Sequence, residues 1–167
     1  DVFLPLRIPS ILSWHWVDYF ISTNLDTPDK VSWEEMKKVG VVHGMAALTL
    51  AAGTESDALE LVRVIENSAL LRLKNEAAIA QTVLEDHQDQ EGGESFEILY
   101  GRQMDIIARW VVWYDEALSS IENFPVDAPG RQLRGAIASA RNNLAARKDI
   151  VIKEISSQWR RKDEPIE

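Results

Sequence analysis

His15, His43 and His87 are the side chains best suited to act as a base or a metal ligand near neutral pH. They fall on three different predicted helices and none belongs to an H-E-x-x-H or Glu-x-x-His arrangement, so neither a zincin nor a di-iron bundle is expected. His43, next to Gly44, reads as a hydrogen-bonded packing residue. His87, close to Glu85, Asp86 and Asp89, reads as a polar residue favoured at the negative end of a helix. Glu94, Glu97 and Asp105 open a later helix, where negative charge complements the helix dipole. Acid–base catalysis by such carboxylates would also require a cleft and shifted pKa values. Phosphate-cradling glycine loops, the dinucleotide fingerprint and the nucleophile elbow are missing from the sequence. With no cysteine, thiolate catalysis, Cys-ligated metal and disulfides are excluded by the covalent inventory. No catalytic residue, metal site or cofactor is expected.

Binding chemistry is better represented. Trp14, Trp16, Tyr19 and Phe20 crowd large rings onto one short predicted helix, and Trp14 and Trp16 project in nearly opposite directions from it. The expectation is that one packs inward while the other meets a partner or another domain; the alternative is that both are buried between the long helices. A second candidate is a basic ridge on the last helix, where Arg134, Arg141 and Lys148 recur every seven residues and Arg160, Arg161 and Lys162 follow. Such a ridge can bridge acids within the fold, meet an acidic surface on another subunit, or track phosphates. Arg147 lies nearer the apolar side and suits an internal ion pair or packing of its aliphatic stem. A third candidate is an interhelical pocket near Gln103, Trp110, Trp113 and Tyr114.

The elements that must position these groups are all helical. The 167 residues, 46% of them hydrophobic and 27% charged, match one ordinary globular domain, so residues 1–167 are read as a single helical domain. No run of 18 apolar residues occurs; the most apolar stretch, Val39 to Gly53, is interrupted by Gly40, His43, Gly44 and Thr49, and no membrane span is expected. The chain begins Asp1-Val2-Phe3 without an initiator Met, which fits an excised domain, a processed product or a renumbered segment.

Punctuation and periodicity divide the chain into one short helix and four long ones. The first follows Pro9-Ser10 and reaches about Ser22, with a polar loop from Thr23 to Asp29. Ser32-Trp33-Glu34-Glu35 fits a capping box and starts a helix to about Ala52, in whose middle Gly40 and Gly44 predict a kink or a close helix contact. Thr54 to Asp57 opens the next, with an apolar stripe through Leu59, Val62, Ile65, Ala69, Leu73, Ala77, Ala80 and Leu84. After an exposed Asp89–Gly93 loop, Phe96, Leu99, Gln103, Ile106, Trp110, Trp113, Ala117, Ile121 and Phe124 define the fourth helix. Pro125 and Pro129-Gly130 end it. Leu133, Ile137, Ala140, Leu144, Val151, Ile155 and Trp159 mark the last. The expected fold is all-α: an up-and-down bundle of four long helices plus a short Trp-rich N-terminal helix.

Charge is distributed unevenly along this order. The net value of −9 combines −13 over residues 1–129, +7 over residues 130–162 and −3 over the last five. Complementarity between the basic last helix and acidic neighbours is the simplest reason for such polarity. The leading functional expectation is a non-enzymatic helical interaction module, self-associating or binding a protein partner through its Trp-rich segment and charge-polarised surface. The alternatives are a nucleic-acid-associated structural protein, coat-like or a nucleoprotein subunit, using the basic helix, and a small-molecule sensor or enzyme with an interhelical pocket.

Overall fold

A computed structural model of the chain describes residues 19–88, 95–124 and 130–160. Four long helices, α1 (Trp33–Ala52), α2 (Glu55–Gln88), α3 (Phe96–Ser120) and α4 (Arg131–Arg160), account for most of the described residues, among which there is no strand. The all-α class follows directly. The chain divides into two compact units, Asp1–Thr49 and Leu50–Glu167.

In the first unit, the predicted N-terminal helix lies almost wholly outside the described residues, and its expected last turn is not helical. Residues 19–25 form bends and turns instead. Ser22 has φ 61°, a left-handed conformation that breaks the helical hydrogen-bond ladder. The Thr23 amide and hydroxyl then both donate to the Phe20 carbonyl, at 3.0 and 2.6 Å. Pro28–Lys30 makes a single 3-10 turn that Pro28 pre-sets at its start, and the Lys30 ammonium lies 5.5 Å from the centroid of the Phe20 ring. Ser32 caps α1 as expected: its Oγ accepts from the Glu35 amide at 3.3 Å. Glu35 in turn holds Lys38 at 2.7 Å. No residue of α1 is buried.

The second unit begins with the firmest cap in the described chain. Thr54 Oγ accepts from the Asp57 amide at 3.3 Å, while the Thr54 amide and hydroxyl both donate to Asp57 Oδ2 at 2.7 Å, closing a reciprocal box at the start of α2. Thr54→Ala is expected to lower stability by about 1 kcal/mol, read as a lower midpoint of urea unfolding. The hydrogen bonds from Thr54, that of its side chain first, hold the Asp57 carboxyl below its ordinary value of 3.8. The cap therefore stabilises fully above that value and is lost as pH falls through the lower folded-state pKa. Asp57→Asn should flatten the acid limb of the stability curve; an unaltered limb would show that the box is not formed in solution.

Helices α2, α3 and α4 pack against one another in a bundle-like core. Their relative directions follow from cross-helix pairs. Tyr100 meets Ser156 and Asp115 meets Arg141, so advancing along α3 retreats along α4, and these two are antiparallel. Glu55 lies against Gly130 and Glu66 against Asn143, so α2 and α4 run parallel. The up-down-up order of short-linked helices is thereby present in these three. Parallel α2 and α4 bring two helix N-termini side by side, and the Glu55 carboxylate sits there, where both dipoles favour negative charge. Gly130 makes room for it, since a Cβ at that position would collide with the carboxylate.

The buried stripes of α2 and α4 match those read from the sequence. Val62, Ala69, Leu73, Ala80 and Leu84 are buried on α2, and Leu133, Ile137, Ala140, Leu144, Val151 and Ile155 on α4. On α3 the stripe is displaced. Its buried side chains are Gln103, Ile107, Tyr114 and Leu118, whereas Ile106 and Trp110 are only half-buried and Trp113 is 55% exposed. The helix also ends at Ser120, with a 3-10 turn over Ile121–Asn123 carrying Ile121 into the core and Phe124 buried just after it.

Candidate interaction surfaces

The charged positions of α4 serve the bundle first. Arg141 makes a bidentate bridge to Asp115 on α3, with Nε to Oδ1 at 2.6 Å and Nη2 to Oδ2 at 2.8 Å. That hydrogen-bonded carboxylate, and more weakly Glu122, raises the guanidinium pKa above its ordinary value. Asn143 donates to Glu66 on α2 at 2.8 Å. The basic helix thus pairs one cation with an acid on α3 and offers a neutral amide to an acid on α2. Arg134 is exposed and Lys148 half-buried on the same ridge. The side chain of Arg160, and Arg161 and Lys162 entirely, lie outside the described residues.

The rings expected to line a pocket do come together. Trp113 meets Tyr114 edge-on at 4.7 Å between centroids, and Trp110 lies 6.0 Å from Trp113 and 6.1 Å from Tyr114. Across the α2–α3 contact, Arg72 lays its guanidinium 4.3 Å from the Trp110 centroid while pairing with Glu76 at 3.4 Å. Nothing local in the sequence marks Arg72 for that place, because it depends on the pairing of two helices. The arrangement is an aromatic wall with a cation stacked on it, Trp113 standing outward. Gln103 is buried two turns earlier on α3 and shares none of these ring contacts.

His43 sends Nδ1 to the Val39 carbonyl at 2.9 Å, a local helix contact in keeping with a packing role. His87 is half-buried in the last turn of α2. Asp105 pairs with Arg109 at 2.7 Å, and Glu97 is exposed in the first turn of α3. Among the described residues no group of three or more His, Asp or Glu side chains is placed to hold a metal ion. Tyr19 is 81% exposed, while Trp14, Trp16, His15 and Glu94 lie outside the described residues.

Among the described residues, exposed apolar side chains are concentrated on α1, a helix that the sequence reading assigned to packing. Along α1, Trp33, Met36, Val41, Val42, Met45, Leu48 and Leu50 are all exposed, Met45 at 64% and Leu48 at 67%. The least exposed stripe of the helix is Glu35, Val39, His43, Ala46 and Thr49, in which three of five residues are polar. A helix of a globular protein ordinarily covers its apolar side and exposes its polar one. Here the order is reversed. The available signal was the uncharged run from Val39 to Thr54, but composition alone cannot say whether such a run is covered.

Helices α2, α3 and α4 form a capped bundle core, and α1 carries exposed apolar side chains, in an all-α protein. No known protein family, characterised protein or solved structure matches the chain, so its function has to be read from these surfaces. No helix among the described residues is long and apolar enough to cross a membrane.

Proposed function

We propose that the chain is a protein-interaction module whose docking element is α1. The observation that supports this is the number of exposed apolar side chains on α1. Solvent-exposed leucines and methionines in isolation are ordinary, but α1 has no buried residue and seven large apolar side chains exposed along its length. Monomeric proteins rarely leave extended apolar surface open unless a partner covers it. The Trp-rich segment expected to carry binding lies N-terminal to α1 in sequence, and Tyr19, next to it, is exposed. The α4 charges, by contrast, are partly consumed by Asp115, and Asn143 beside them by Glu66.

A photoreactive amino acid at position 45, introduced into the chain in its native setting, tests this reading. Adducts that join the chain to another polypeptide, a copy or a different protein, are expected. Products confined to the mass of a single chain would overturn it. Met45→Glu with Leu48→Glu should meanwhile leave unfolding of dilute chain within about 0.5 kcal/mol, as exposed positions do.

A further inference from the structure

We infer that the aromatic corner on α3 is a binding site for the guanidinium group of an arginine on a partner polypeptide, and that Arg72 is its internal occupant. Trp110 and Trp113 stand at 78° to each other with centroids 6.0 Å apart, and Tyr114 meets Trp113 edge-on at 4.7 Å. Their spacing places all three on one side of the helix. Indole faces carry the negative part of the ring quadrupole, and a cation within about 6 Å of a centroid is attracted to it. The Arg72 guanidinium, 4.3 Å from the Trp110 centroid, shows that the site accepts this group. Glu76 supplies a carboxylate beside it, its side chain only 12% exposed, that pairs with Arg72 at 3.4 Å. All five residues belong to the second unit, and none is on α1.

Arg72 is held loosely enough to give way. Its contact with Glu76, at 3.4 Å, lies at the outer limit of a hydrogen bond, and its side chain is 42% exposed. Arg141 gives the contrast: two contacts at 2.6 and 2.8 Å clamp it to Asp115. A guanidinium arriving from solvent can take the Trp110 face and pair with Glu76 through both carboxylate oxygens, a fork that Arg72, one turn earlier on the same helix, does not form. It also gains Trp113, which stays 55% exposed while Arg72 stacks on Trp110. Three properties select arginine. An apolar side chain would dehydrate Glu76 without pairing it. An acidic one would be repelled by the same carboxylate. Lysine offers a compact, strongly hydrated ammonium with no flat face to stack. The net charge of −13 over residues 1–129, which include all five groups, draws cationic partners toward them.

Titration of the purified chain with short peptides tests this. A blocked Gly-Gly-Arg-Gly-Gly peptide should move the indole N–H resonances of Trp110 and Trp113, identified with Trp110→Phe and Trp113→Phe, and the shifts should saturate by the millimolar range. The remaining tryptophans should stay in place. The same peptide with lysine in place of arginine should bind about fivefold more weakly or worse. Arg72→Ala removes the internal competitor and should tighten binding of the arginine peptide about threefold or more. Glu76→Gln should weaken it about tenfold. Circular dichroism checks that both variants keep their helicity, and the two titrations of the unaltered chain are decisive without them. Static Trp110 and Trp113 signals, equal binding of the arginine and lysine peptides, or a folded Arg72→Ala chain that binds no more tightly would each overturn the inference.

Discussion

Ile107→Asp is expected to abolish the cooperative unfolding transition of the second unit at room temperature, whereas Trp113→Asp leaves a folded bundle. Ile107 is fully buried on α3, within the core formed with α2 and α4. An unpaired carboxylate there costs several kcal/mol, comparable with the 5–15 kcal/mol that separates folded from unfolded states in ordinary domains. Trp113, although much larger, points outward and makes edge contacts with Trp110 and Tyr114. Its loss should cost about 1–3 kcal/mol from two aromatic contacts. Circular dichroism at increasing temperature reads both variants. A folded Ile107→Asp protein beside an unfolded Trp113→Asp protein would reverse the assignment and restore the register in which Ile106 and Trp113 face inward.

The second large effect concerns the two parallel helices. Leu73 on α2 and Leu144 on α4 are buried in the same core, and truncation of either to Ala should lower stability by about 2–5 kcal/mol through lost transfer energy and a residual cavity. That corresponds to a fall in Tm of about 2–8 °C for each kcal/mol in domains of this general size. Val64→Ala and Ile150→Ala are internal controls on the same helices, since both side chains are about half exposed, and each should change stability by about 0.5 kcal/mol or less. Equal losses at core and control positions would mean that α2 and α4 do not bury the faces described.

The cross-helix pairing between α4 and Asp115 alters how the charge polarity is understood. A basic last helix on an acidic chain invites a nucleic-acid reading, yet Arg141, central to its ridge, is held in a bidentate bridge to Asp115. Such a bridge fixes the register of α3 against α4 more than it adds stability, because both partners remain partly open to water. Tyr100 and Ser156 do the same further along the pair: Ser156 donates to the Ile152 carbonyl at 2.7 Å, leaving the tyrosine hydroxyl to donate to Ser156 at 2.6 Å. Polar cross-links at two levels thus align the helices while the apolar stripes supply the cohesion.

Local signals proved readable where their cause was local. Ser32 and Thr54 marked the starts of α1 and α2, because caps act within one turn, whereas α3 ends at Ser120, ahead of the Pro125 read as its stop. The buried faces of α2 and α4 were equally legible: polar residues occupy the remaining positions of both helices, so only one stripe can turn inward. Helix α3 lacked that contrast. From Ile106 to Tyr114 apolar residues occur on every side, and a stripe drawn through the largest of them lands one position away from the one that packs.

The sequence by itself therefore determined the helical class, the starts of the long helices and the inward faces of two of them, since propensity, capping and amphipathic contrast are properties of neighbouring residues. Tertiary structure alone decided which side of α3 is buried, that Arg141 belongs to Asp115 and Arg72 to Trp110, and that no described residue of α1 is buried. Each of these depends on what another helix places opposite, and burial is a relation between surfaces that no single segment encodes. The uncharged run of α1 was visible from the outset as hydrophobic. Its exposure is what the proposed interaction rests on.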